Sequence, residues 1–164
     1  MRQSGWGIVA VSGVWLSLPA DAQTNYSQVS CRNADAVKAI SLCTSTIQSG
    51  EVSGEFLAAA YNDRGDAYAN RFDYEHAIAD YDRAIKLKPD FARAFGGRGL
   101  AYANLQDFEL AIKDYDQAIR LDPQYARAFY DRGLAKFGLS DLDGGDEDIA
   151  KARALDANVG KLSN

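Results

Sequence analysis

ARAFGGRGLAYANLQDFELAIKDYDQAIRLDPQY, residues 92–125, decides the reading of this chain, because the segments on either side are gapless copies of it. Residues 58–91 read AAAYNDRGDAYANRFDYEHAIADYDRAIKLKPDF and residues 126–159 read ARAFYDRGLAKFGLSDLDGGDEDIAKARALDANV, so the copies follow one another every 34 positions. Arg64, Arg98 and Arg132 occupy one site three times, as do Gly65, Gly99 and Gly133, Asp80, Asp114 and Asp148, and Ala84, Ala118 and Ala152. A fixed period of about 20–50 residues marks stacked supersecondary units, none of which can bury its apolar face alone.

Each unit reads as two helices. In the central copy Phe95, Gly99 and Tyr102 share one face of a first helix, a Gln106-Asp107 turn follows, and Ala111, Ile112, Tyr115, Ala118 and Ile119 recur at helical spacing in a second. Asp122-Pro123 ends it, as Lys88-Pro89 does one unit earlier, because proline cannot donate to a continuing helix. Small residues fall where two helices must approach: Gly99 on the first, Ala111 and Ala118 on the second.

Upstream, Val37, Ile40, Leu42, Cys43 and Ile47 predict an amphipathic helix from Ala36 to about Ser49, which echoes the second helix of a unit and serves as an N-terminal cap. Residues 1–22 have the layout of a secretory signal peptide: Arg2, an apolar run from Trp6 to Leu18, and small residues Ala20 and Ala22 before a cut at Gln23. That run is too short to span about 30 Å of hydrocarbon as a helix, so no membrane insertion is expected once the leader is cut. The expected organisation is therefore a leader (1–22), an N-terminal segment with the capping helix (23–57), three repeats (58–91, 92–125, 126–159) and a tail (160–164), in a periplasmic or secreted protein. Cys31 and Cys43 are the only cysteines, and an oxidising compartment favours their pairing. Two unpaired core thiols or a metal site are the other readings; the latter is weakened by a single histidine, His76, and no CxxC.

The chain has 164 residues, 47% hydrophobic and 25% charged, values that suit one folded soluble domain. Its net charge of -5, with bases and acids intermixed and not gathered into a basic stripe, speaks against a nucleic-acid partner. No catalytic constellation, cofactor or metal is expected. The carboxylates from Asp141 to Asp148 lack the spacing of a calcium loop, and Gly96-Gly97-Arg98-Gly99 lies within a helix and follows no strand, so it does not read as a phosphate cradle.

These residues together resemble the tetratricopeptide repeat, a helix-turn-helix unit of about 34 residues with an aromatic, Gly, Tyr, Ala, aromatic, Ala, Pro signature. Phe95, Gly99, Tyr102, Ala111, Tyr115, Ala118 and Pro123 fill those places in the central copy, and Tyr61, Gly65, Tyr68, Ala77, Tyr81, Ala84 and Pro89 in the first. The third keeps Phe129, Gly133 and Ala152 but has Lys136, Gly145, Ile149 and Ala157 at the other four. The resemblance implies an all-α, right-handed superhelical stack whose first helices line a concave groove for a peptide or partner helix. By position that groove holds Asn62, Asp66 and Asn70 from the first copy, Arg93, Leu100 and Asn104 from the second, and Arg127, Tyr130, Leu134 and Phe137 from the third. Gly96 and Gly97 leave a gap in it, open to a ligand side chain or to Tyr130 packing inward. The Lys/Asn clamp that some relatives use for C-terminal carboxylates is not reproduced.

Two departures from the family pattern are informative. Arg64, Arg98 and Arg132 replace the usual Leu, each 16 residues before Asp80, Asp114 or Asp148, which suggests an ion pair across each hairpin, the alternative being two solvated charges. In the third copy Asp146 and Arg153 replace the isoleucines at 78/112 and 85/119, so the array is expected to end there, with Gly144-Gly145 loosening the start of its last helix. The expected function is a non-enzymatic scaffold of the cell envelope that binds a protein or peptide in its groove. The alternatives are a structural or regulatory subunit of an envelope complex using its convex face or end, or an accessory to an envelope enzyme.

Overall fold

A computed structural model describes residues 6–11, 14–19 and 35–161 of the chain. Its helices are α1 (Ala36–Ser49), α2 (Gly54–Ala69), α3 (Tyr74–Leu87), α4 (Ala92–Asn104), α5 (Phe108–Leu121), α6 (Ala126–Gly138) and α7 (Leu142–Leu155). Two short strands, β1 (Trp6–Val11) and β2 (Val14–Pro19), pair antiparallel within the stretch expected as a leader. The stack itself is all-α, three hairpins behind a capping helix.

The sequence sets the ends of these helices. Asp35 caps α1 by accepting from the Lys38 amide at 3.0 Å, and Gly50 closes it in the left-handed region (φ 69°). The second helices α3 and α5 stop at Lys88 and Asp122, whose φ of -136° and -135° is the extended conformation that a following proline imposes. Asp156 takes φ -143° at the same place without a proline after it, so there the stack maintains the geometry that Pro89 and Pro123 enforce locally.

Between helices the core is made of small residues. Ala77, Ala84, Ala94, Ala111, Ala118 and Ala152 are fully buried, and Tyr81 and Tyr115 are the largest fully buried side chains among the described residues. A Cβ on Gly65 would stand 2.8 Å from the Tyr81 ring and one on Gly99 2.9 Å from the Tyr115 ring; on Gly133 it would stand 2.8 Å from the Gly145 carbonyl oxygen. The three glycines thus occupy equivalent sites, and each lets its first helix close on its second. Gly145, expected to loosen α7, sits instead where the Phe137 ring presses on the helix and leaves no room for a Cβ. The helix is formed from Leu142, its first turn held by Asp141 accepting from the Gly144 amide at 3.1 Å.

Each repeated arginine ties three helices together. Arg64 donates from Nε and Nη2 to the two oxygens of Asp80 (both 2.7 Å), Arg98 to those of Asp114 (2.8 and 2.7 Å) and Arg132 to those of Asp148 (2.8 and 2.6 Å). The remaining Nη1 reaches back to the preceding second helix, from Arg98 to Asp82 (2.5 Å) and from Arg132 to Asp116 (2.6 Å); Arg64 reaches Thr44 of α1 (3.0 Å). Each guanidinium also lies 5.4–5.6 Å from the centroid of the aromatic ring three residues before it, that of Tyr61, Phe95 or Phe129. Burial alone would push the Asp148 carboxyl up, but hydrogen bonds from Arg132 and Lys136 outweigh it and hold the group below the usual carboxylate range.

The ladder stops at α7. Ala150 stands where Asp82 and Asp116 offer a carboxylate to the next unit, and Asp146 and Arg153 are exposed on the same helix. A further repeat would find no acceptor for its arginine at position 150 and charges in place of the two isoleucines.

Candidate functional site

The first helices touch one another along the stack, α2 against α4 and α4 against α6, and so line its inner surface. Two depressions open there. The larger, about 370 Å³, is lined by Asp66, Ala69, Asn70, Tyr81, Arg93, Gly96, Gly97, Leu100, Tyr125, Arg127 and Asp131; the smaller, about 250 Å³, by Leu100, Ala103, Asn104, Phe108, Tyr115, Asp131, Leu134 and Ala135. Leu100 and Asp131 belong to both and divide them.

Of the groove residues expected from the sequence, Asp66, Asn70, Arg93, Leu100 and Arg127 meet in the larger depression, and Leu100, Asn104 and Leu134 in the smaller. Asn62, Tyr130 and Phe137 stand elsewhere. Asn62 is fully buried, its amide donating to Asp66 Oδ2 at 3.2 Å while its own oxygen has no partner. Phe137 lies against Gly145 of α7. Tyr130 lies against Gly160, so closely that a Cβ there would collide with the ring. One unit earlier the position of Tyr130 is held by Gly96, against which Tyr125 from the connection packs. The gap at Gly96 and Gly97 is accordingly filled by the rings of Tyr125 and Tyr81, and Tyr130 takes no part in it.

At the first joint, between repeats one and two, the polar groups are connected. Tyr81 donates its hydroxyl to Asp66 Oδ1 at 2.7 Å, and Arg93 Nη2 reaches Asp66 Oδ2 at 3.3 Å and Asp63 Oδ1 at 3.4 Å. Burial and the adjacent Asp66 carboxylate hold the Tyr81 phenol well above its ordinary range.

At the second joint the same positions carry different residues. Leu100 replaces Asp66, so the Tyr115 hydroxyl, equally buried, has no hydrogen-bond partner. Asp131 replaces Gly97; its side chain is 7% exposed and accepts from a single N–H, Arg127 Nε, at 2.9 and 2.7 Å. Burial pushes the Asp131 carboxyl up, and Arg127 offsets this only in part.

Tyr81, Tyr115, Tyr125, Phe108 and Asp131 are groove residues that pattern reading assigns to the core or passes over. The one available signal was the sequence Asp63, Gly97, Asp131 at one repeat position, an acid missing from the central copy alone. Cys43 is completely buried against α2 and has no free thiol; Cys31, its expected partner, lies outside the described residues. His76 is held by Asp73 (Nδ1 to Oδ1, 2.7 Å) and stacks on Tyr68 at 5.2 Å, which accounts for it as a local structural residue. No group of three or more His, Cys, Asp or Glu among the described residues is placed to hold a metal, and none of their helices is long and apolar enough to cross a membrane.

Known proteins resemble this arrangement. A family model described as TPR repeat matches residues 65–106 and 99–140. The second TPR of Spaghetti (RPAP3), solved bound to the HSP90 peptide SRMEEVD, is 35% identical over 60% of this chain and 92% of its own, with a TM-score of 0.59. The second TPR domain of human RPAP3, in complex with the HSP70 peptide SGPTIEEVD, is 34% identical over 63% of this chain and 86% of its own (TM-score 0.60). MamA residues 41-end from Desulfovibrio magneticus RS-1 is 26% identical over 86% and 78% respectively (TM-score 0.69). No curated protein sequence matches the chain. With the 34-residue register, the glycine-mediated hairpins and these likenesses together, the chain belongs to the tetratricopeptide-repeat family.

Proposed function

We propose that the protein is a non-enzymatic interaction scaffold of the cell envelope that takes an extended peptide or partner helix in the groove lined by α2, α4 and α6. The observation that carries this reading is the pair of adjoining depressions on the inner helices, with Arg93, Arg127, Asp66 and Asp131 beside Leu100 and Leu134. The peptide complexes of the RPAP3 repeats give the reading its precedent. The surface is mixed, so a ligand gains affinity from burying apolar side chains and orientation from a few charge-assisted hydrogen bonds.

A photo-crosslinking residue placed at Leu134, in the groove, and at Lys151, on exposed α7, separates the two ways such a stack works. Partner adducts from position 134 alone are expected. Adducts from position 151 alone would favour a subunit docked through its end.

Export follows from the layout of residues 1–22, and mass spectrometry of the secreted or periplasmic chain should find Gln23 at its N-terminus. A bond between Cys31 and Cys43 is supported by their even count and by Cys43 having no free thiol. Its loss in Cys31→Ser should destabilise the protein by about 3 kcal/mol, read by urea denaturation with and without reductant.

A further inference from the structure

We propose that the smaller depression, between the first helices of repeats two and three, receives a lysine side chain of the bound partner, its ammonium against Asp131 and the Tyr115 hydroxyl. This rests on the groove reading above and names what the groove selects.

Three observations carry it. The Tyr115 hydroxyl is buried with no partner, whereas its counterpart Tyr81 donates to Asp66 at 2.7 Å. A buried hydroxyl left unbonded costs free energy in the unliganded protein, and a ligand that supplies the bond recovers it. Beside it, the Asp131 carboxylate accepts from one N–H only, although its two oxygens offer about four lone-pair sites. The walls are apolar, from Leu100, Leu134, Ala103 and Phe108, and 250 Å³ is room for a narrow aliphatic stem.

What enters must be apolar along its length and donate hydrogen bonds at its tip. Charge decides between candidates. Asp131 is the one charged residue lining the smaller depression, so an acidic tip is repelled and a cationic one is favoured. Arginine fits less well, because its planar fork seeks both oxygens of a carboxylate and Arg127 already bridges those of Asp131. A lysine ammonium is a compact charge with three donors that can divide between Asp131 and Tyr115. Leu100 and Leu134, 36% and 47% exposed, turn aside to admit the stem. The protein contains one such contact of its own: Lys136, 22% exposed, brings Nζ to 2.9 Å from Asp148 Oδ2.

The test uses isotope-labelled protein and three blocked pentapeptides, acetyl-Ala-Ala-Xaa-Ala-Ala-amide with Xaa lysine, norleucine or glutamate, titrated by NMR. The lysine probe is expected to shift the amides of Leu100, Asn104 and Leu134 and to bind about tenfold tighter than the other two. Tyr115→Phe should remove most of that preference without lowering thermal stability, since the hydroxyl it deletes is unbonded; Asp131→Asn should remove it through the charge. Norleucine or glutamate bound as tightly as lysine, no response to lysine at millimolar concentration, or Tyr115→Phe binding lysine unchanged would each overturn the inference. If in those cases partner crosslinks still form at position 134, the groove reading survives; if they do not, it fails as well.

Discussion

The two joints of the stack are built alike on one side and differently on the other. On the outer side Arg98 and Arg132 make the same contacts, each spanning its own second helix and the preceding one. On the inner side the first joint is closed, with Tyr81, Asp66 and Arg93 bonded to one another, while the second leaves Tyr115 unbonded and Asp131 with a single donor. Three substitutions at repeat positions, Asp63 to Gly97, Asp66 to Leu100 and Gly97 to Asp131, account for the difference. A repeat protein can thus hold its scaffold constant and still make one joint different in chemistry from the next.

The largest expected effect tests the shared side. Arg98→Ala leaves the buried Asp114 carboxylate without its main partner and should cost about 3–5 kcal/mol in urea unfolding; Arg132→Ala should cost somewhat less, because Lys136 still bonds Asp148. A loss below about 1 kcal/mol at either would show that its staple is a surface pair of little consequence. Next comes Gly97→Ala. The added Cβ would stand 2.6 Å from the Tyr81 ring and drive the hydroxyl from Asp66, at about 1–3 kcal/mol, while Asp131→Ala at the second joint, where a Cβ is already accommodated, should cost clearly less.

Removing the hydroxyls separates the joints more finely. Tyr81→Phe should cost about 1 kcal/mol and Tyr115→Phe nothing, or stabilise slightly, because only the first is bonded. Equal losses at both positions would erase the distinction drawn between them.

The smallest effect is in pH dependence. Asp148, with its folded pKa lowered, contributes stability above the ordinary carboxylate range that is lost as pH falls through the lowered value. Asp131, raised by burial, has the opposite sign: its contribution is full below its unfolded pKa and is lost as pH rises through its folded one. On acidification from neutrality towards about pH 4, near the reference value for an unperturbed Asp, Asp131→Asn should therefore lose more stability than the parent. Below that range Asp148→Asn should lose less.

Much of this was legible in the chain itself. A 34-residue period with Gly65, Gly99 and Gly133 in register determined the hairpins, their order and the family, because a repeated unit that cannot bury its own face must stack on its copies, with small residues where helices approach. The period also brought Arg98 and Asp114 to notice as a recurring pair, though not the third contact to Asp82, which needs the neighbouring unit in place.

Only the tertiary structure decided which positions reach the groove. Helical spacing places Asn62, Tyr130 and Phe137 on the inner helices, but whether a side chain faces the groove or the next layer depends on the size of the residue opposite. Gly160 takes in Tyr130, Gly145 takes in Phe137, and Asn62 is fully buried with its amide bonded to Asp66. The unbonded Tyr115 hydroxyl is of the same kind. Tyr81 and Tyr115 are one letter in one register, and what separates them is the residue that a different helix brings to each ring.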